Sequence, residues 1–231
     1  SLTLQAFNNI VLGTGGSITG TVVPLNVTLN SNATGLGGGI SLAAGTSINS
    51  NGGDITMGGG VTPATGYAIG TAGSGNSGID VFGNITAGAG NVTLHEQSAL
   101  GNGITFGGGL LSSDGVVTID GMTFRGGAGT NIPANYFAGV RFQNAGTRLT
   151  TASGAVLITG YASGGTESQG VTVDAATIET TGAGTLFLSG TAATLGNSGW
   201  GIGINSGGLV RSTAVGGGSL NFGAVSPDWG N

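Results

Sequence analysis

The stretch Gly139-Val-Arg-Phe142, with its counterparts Gly170-Val-Thr-Val173 and Gly201-Ile-Gly-Ile204, decides the fold. The opening glycines stand at positions 139, 170 and 201, so one constant interval separates them. After each opening comes the same sequence of features: a second short apolar run, a glycine-rich corner, a third apolar run and a variable connection. A fixed period of this size marks stacked units, none of which can bury its apolar face alone. Within the runs apolar residues recur at every second position, the mark of strands, and helical spacing is nowhere sustained.

Extended over the chain, the pattern places first strands at Ile10–Leu12, Ile40–Leu42, Ile79–Val81, Ile104–Phe106, Val140–Phe142, Val171–Val173 and Ile202–Ile204. Second strands centre on Ile18, Ile48, Ile85, Leu110, Leu149, Ile178 and Leu209. Third strands fall at Leu25–Leu29, Asp54–Met57, Asn91–Leu94, Val116–Ile119, Val156–Ile158, Leu186–Leu188 and Leu220–Phe222, with Leu2–Leu4 as a leading copy. The expectation is an all-β, right-handed parallel β-helix (β-solenoid) of about seven coils with three short strands each, the hand following from the chirality of parallel connections. Side chains alternate faces along a strand. Val27, Ile55, Val92, Val117, Val156, Leu186 and Leu220 therefore form one inward column. Residues 1–231 read as a single solenoid segment of a longer repeat protein, because Ser1-Leu-Thr-Leu4 already looks like the end of a unit. The longest connections, residues 58–78 and 120–139, are loop insertions on one edge, where repeat proteins commonly place contacts.

Composition narrows the function. The chain has 231 residues with 53 glycines, no lysine, no cysteine and a net charge of −5. Nucleic-acid binding needs clustered cations, and four scattered arginines do not supply them. No thiolate metal site or disulfide is possible, and no apolar run reaches the ~18 residues of a membrane span. No cofactor is expected. The single histidine, His95, next to Glu96, reads as solvated decoration at a loop start rather than a proton-shuttling dyad. Gly73-Ser-Gly-Asn-Ser-Gly78 matches the dinucleotide-loop glycine spacing but lacks the strand–turn–helix context that gives it meaning. Asp54, Asp80, Asp114, Asp120 and Asp174 fall on different coils and faces, which disfavours the gathered carboxylates of a polysaccharide-cleaving β-helix.

The segment LTLQAFNNIVLGTGGSITG, continued by LNVTLNSNATGLGGGISLAAGTSINSNGGDITMGGG, resembles the filamentous-haemagglutinin-type exoproteins of bacterial two-partner secretion. The resemblance is specific over residues 1–60 and is one of repeat style beyond residue 78. It implies an extracellular or cell-surface adhesive fibre, not an enzyme, exported through an outer-membrane β-barrel transporter. Its implied partners are host-cell, matrix or neighbouring-cell receptors. End-to-end self-association into a filament is an alternative, as are polysaccharide-active and ice-binding β-helices. The last is suggested by the outward threonines Thr3, Thr28, Thr56, Thr93 and Thr118, although the companion column of Asn26, Asp54, Asn91 and Val116 breaks a two-column lattice. Asn26, Asn32, Asn84 and Asn91 open glycosylation sequons. Tyr136 and Phe137 in the bulge Asn131–Gly139, with Tyr67 and Trp200, form the candidate contact patch.

Overall fold

The structure, a computed structural model, describes residues 1–33, 37–70, 77–99, 101–124, 137–163, 168–193, 199–213 and 218–225. Every described strand pairing between coils is parallel, and the strands sort into three sheets that run the length of the molecule. First strands form one sheet: β2 (Ile10–Leu12), β5 (Ile40–Leu42), β9 (Ile79–Val81), β12 (Ile104–Phe106), β15 (Ala138–Gln143), β18 (Gln169–Asp174) and β21 (Trp200–Asn205). Second strands form another: β3 (Ser17–Thr19), β6 (Ser47–Asn49), β10 (Asn84–Gly88), β13 (Leu110–Ser113), β16 (Arg148–Thr151), β19 (Thr177–Thr180) and β22 (Leu209–Ser212). The third contains β1 (Leu2–Gln5), β4 (Val27–Ser31), β7 (Ile55–Gly59), β11 (Val92–Ser98), β14 (Val117–Phe124), β17 (Ala155–Ser163), β20 (Thr185–Ala193) and β23 (Leu220–Val225), with a short extra strand, β8 (Ala68–Gly70), beside β11. Among the described residues this is a parallel β-helix of seven three-stranded coils behind a leading third strand.

The inward column stands in the expected register. Leu2, Val27, Ile55, Val92, Val117, Val156, Leu186 and Leu220 are successive partners, and those from Val27 to Leu186 are buried. A second column joins Ile40, Ile79, Ile104, Val140 and Val171 on the first-strand sheet. Phe106 and Phe142 stack face to face inside the coil at 4.5 Å. The sequence placement is off by one residue twice on the second-strand sheet. Leu111, not Leu110, pairs with Ile85 and Leu149, and Val210, not Leu209, pairs with Ile178. In both places two adjacent apolar residues satisfy the pattern equally, and only the neighbouring coil selects the inward one.

Corners combine left-handed backbone with side chains that reach the next coil. Asn144, Ala175 and Ser206 recur at the same interval as the opening glycines, and all adopt positive φ. At another corner the side chains form a ladder. Asn26 Oδ1 accepts from the Asp54 amide at 3.0 Å, Asp54 Oδ1 from Asn91 at 2.8 Å, and Asn91 Oδ1 from Val116 at 2.8 Å. Asn84, Asn102 and Asp114 accept amides of the following coil in the same way, from Leu110, Ala138 and Ala152. These bonds satisfy backbone donors that the bend removes from the sheets.

The third strands lengthen along the rod, from five residues in β4 and β7 to seven in β11, eight in β14 and nine in β17 and β20. The connections therefore begin later than the sequence pattern places them, and Asp120–Phe124 is strand rather than the start of an insertion. The reason is glycine. Gly121, Gly160 and Gly190 face the opening glycines Gly139, Gly170 and Gly201 with backbone against backbone. A Cβ on Gly160 would lie 1.9 Å from the Gly170 oxygen, and one on Gly190 1.8 Å from the Gly201 oxygen. The glycine repeat is thus the contact line where two sheets close on each other without side chains between them.

On the second-strand sheet, the side chain of Glu179 is covered by Arg148 from the preceding coil and Arg211 from the following one. Arg211 Nε donates to Glu179 Oε2 at 2.9 Å, and Arg148 donates to Oε1. Both arginines remain about half exposed, so each pair is screened, while Glu179 itself is buried. Glu179→Ala is expected to cost about 1–3 kcal/mol in chemical denaturation, the scale of losing hydrogen bonds to a buried charged group. A cost below ~0.5 kcal/mol, the level of an exposed ion pair, would show that the arginines add nothing across the coils.

Candidate functional site

A cleft of about 260 Å³ opens on the outer face of the first-strand sheet, across its last three coils. The coil register builds it. Arg141, Thr172 and Gly203 are successive outward partners, Gln143, Asp174 and Asn205 form the next outward row, and Gln169 pairs with Trp200. Gln169 and Thr172 are buried and form its floor, with the Thr172 hydroxyl 2.6 Å from Gln169 Oε1. Gly203 leaves the space that Gln169 occupies, because a Cβ there would lie 2.4 Å from Gln169 Oε1. Trp200, 52% exposed, forms an aromatic wall. Asn205 and Ser206 complete the lining. Arg141 and Asp174 face each other at 3.7 Å, an ion pair too loose for a hydrogen bond, and Arg141 Nε is buried without a partner.

A second group of polar side chains lies on the third-strand sheet. Tyr67 donates its hydroxyl to Asp120 Oδ2 at 3.2 Å, and its ring meets His95 edge-on at 5.9 Å. His95 Nδ1 is 3.5 Å from Asp120 Oδ2, and no hydrogen bond closes there. Burial, reinforced by the Asp120 carboxylate, raises the Tyr67 hydroxyl above its ordinary pKa. His95 and Glu96 are not decoration at a loop start. Both belong to β11, and strand alternation sends them to opposite faces, His95 outward and Glu96 into the coil. Glu96 is 0% exposed and occupies the column that Gly121, Gly160 and Gly190 fill in later coils. Burial drives its pKa well up; the Gly78 and Met122 amides offset part of that, yet neither carboxyl oxygen closes a hydrogen bond of ordinary geometry. Asp80, on the outer side of β9, is pushed up to about 6 by burial, opposed by a bond from Ser77.

The contact patch expected from the sequence divides. Tyr136 and most of the bulge Asn131–Gly139 lie outside the described residues. Phe137 is half-buried, and its carbonyl accepts the Gln169 amide at 2.8 Å, which puts it in the same coil as Arg141, two coils before Trp200. Tyr67, just before β8, lies against the third-strand sheet, where it meets His95 and Asp120. Among the sequons, Asn26, Asn84 and Asn91 are exposed and their Oδ1 atoms hold the corner ladders. Asn32 is buried, takes the Gly37 amide at 2.6 Å and donates to the Tyr67 carbonyl at 3.4 Å, so the folded chain does not present it. The threonine column Thr3, Thr28, Thr56, Thr93 and Thr118 is continuous, and it gives way to Leu157 and Phe187 in later coils. Its neighbour is the Asn/Asp ladder, in which the side chains are committed to the backbone.

The sequence register aligns Arg141 with Thr172 and Gly203, Asp174 with Asn205, and Gln169 with Trp200, yet of these residues the sequence singles out only Trp200, as part of the contact patch. A missing side chain at Gly203 and a long one at Gln169 make the hollow, and neither is a matter of alignment. Among the described residues no group of three or more His, Asp or Glu side chains is placed to hold a metal ion. No family model, curated protein or solved structure matches the chain.

Proposed function

We propose that this chain is a length of extracellular fibre, structural and adhesive rather than catalytic, of the kind that its amino-terminal segment resembles. The observation that carries the reading is the parallel pairing of three sheets from coil to coil through the described residues, with one register shift between β10 and β13, which makes a rod whose stability is nearly a sum of coil and neighbour terms. Surface chemistry supports it: the chain is only 6% charged, so solvation rests on Asn, Ser and Thr. Export through an outer-membrane β-barrel transporter and attachment to receptors on host cells, matrix or neighbouring cells follow from the same reading.

A filament built by end-to-end association is the second reading. Parallel strands left unpaired at the end of a stack template further pairing, the contact such a filament would use. Electron microscopy of the native material is expected to show rods of constant width. Rods of one length support the single-fibre reading, and rods that lengthen with protein concentration support the filament. Compact particles, or release of reducing ends from a polysaccharide panel, would overturn both.

A further inference from the structure

We propose that the cleft beneath Trp200 binds one ring of a neutral pyranose, the ligand class of the adhesive surface. The inference deepens the adhesive half of the function proposed above and rests on it. Its argument starts from the walls. Trp200 is a half-exposed aromatic wall, and the floor is a carboxamide and a hydroxyl, Gln169 and Thr172. A flat aromatic ligand wants apolar contact on both faces. A pyranose wants contact on one face, through its C–H groups, and hydrogen bonds around its edge. Ligand sites commonly combine apolar walls with a few placed polar groups that fix orientation.

The edge groups fit hydroxyls. Arg141 Nε is a buried donor without an acceptor. Asp174, 3.7 Å from the guanidinium, is an acceptor only, and Asn205 offers both functions. A pair of adjacent hydroxyls satisfies such an arrangement, one accepting from Arg141 and the other donating to Asp174. An anionic ligand would gain the guanidinium but would confront the Asp174 carboxylate and a chain of net charge −5. The volume of about 260 Å³ lies just below the usual range of small-molecule sites, ~300–1,000 Å³, and suits a single ring.

The test is a titration of the whole chain with methyl glucoside, methyl galactoside, methyl mannoside and sodium glucuronate, followed by saturation-transfer NMR and by the Trp200 indole resonance. At least one neutral glycoside is expected to bind with Kd on the order of millimolar, as one small ring allows. Trp200→Ala should weaken it at least tenfold. Gly203→Ala should do the same by pushing the Gln169 carboxamide into the hollow, and the colliding atom is the far end of a flexible side chain, so the coil stays intact. Thr56→Ala, on another face, should bind as the parent does. Binding of glucuronate alone, no response to any neutral glycoside, or full affinity in both variants with unchanged circular dichroism would overturn the proposal. Rods in the micrographs together with no glycoside response would sink the cleft and leave the fibre; compact particles would sink the fibre whatever the titration shows.

Discussion

Gly190→Ala is expected to destabilise the protein by about 3 kcal/mol or more, a single methyl group acting as a wedge between two sheets. The new Cβ would lie 1.8 Å from the Gly201 carbonyl oxygen and 2.9 Å from Ile202 Cγ1. Gly190 does not have positive φ, so the whole cost is spatial. Neither side can yield cheaply. Gly190 is held in register between Gly160 and Ala224, and Gly201 lies within β21. Overpacking a core side chain typically costs about 1–3 kcal/mol because rotamers shift; here backbone must move, and with it the ladders on both sides. For a domain of this size ~2–4 °C is lost per kcal/mol, so the melting temperature should fall by about 6–12 °C. Gly13→Ala is the control: nothing lies within 4 Å of its Cβ position, and surface changes of this kind stay within about 0.5 kcal/mol. Equal melting temperatures for the two variants would disprove a backbone-to-backbone contact at this line.

Stability is expected to fall as pH rises from about 4 to 8, the opposite of acid denaturation. Glu96 and Asp80 have pKa values raised in the folded state, Glu96 well up and Asp80 to about 6, each chiefly by burial. The folded chain therefore holds these protons more tightly than the unfolded chain does. Unfolding stability declines with pH wherever the native state binds more protons. The decline begins near the ordinary carboxylate pKa and passes through about 6 for Asp80, and Glu96, whose pKa burial drives well up, adds to it in the same direction. Glu96→Gln removes the ionisation and keeps the shape. It should stabilise the protein at pH 8 by on the order of 1–3 kcal/mol, the scale of a buried polar group left without partners, and change little at about pH 4. Denaturant melts at the two pH values decide the matter. A parallel pH profile in the variant and the parent would mean that Glu96 is solvated and that the coil interior is open at this level.

The coils are legible in the sequence because two signals coincide: alternation sets the inward face, and a nearly constant repeat length fixes which residues stack. The apolar column from Val27 to Leu220 follows directly from that coincidence. Leu110 and Leu209 go astray where the alternation is ambiguous, since each has a second apolar residue beside it. The lengthened third strands are hidden for a different reason. Gly121, Gly160 and Gly190 read as loop punctuation, while in the fold they belong to the strands and bring two sheets together. Glu96 escapes the pattern because a charged residue beside a histidine suggests water and the end of the strand; once β11 runs on to Ser98, alternation with Val92 and Leu94 points it inward, in the column of Gly121 and Gly160. The cleft is half visible: its residues align correctly, but its shape depends on Gln169 lying across Gly203, which is a matter of rotamer and not of pattern.

The widening of the third strands gives the rod a direction of assembly. Closing any one coil costs nearly the same chain entropy, because loop cost grows only slowly with length. The return is unequal. A coil containing β17 or β20 gains a strand of nine residues along that edge, whereas one containing β4 or β7 gains five. Nucleation is therefore expected to favour the fifth and sixth coils, with the earlier coils added on that template toward the amino terminus.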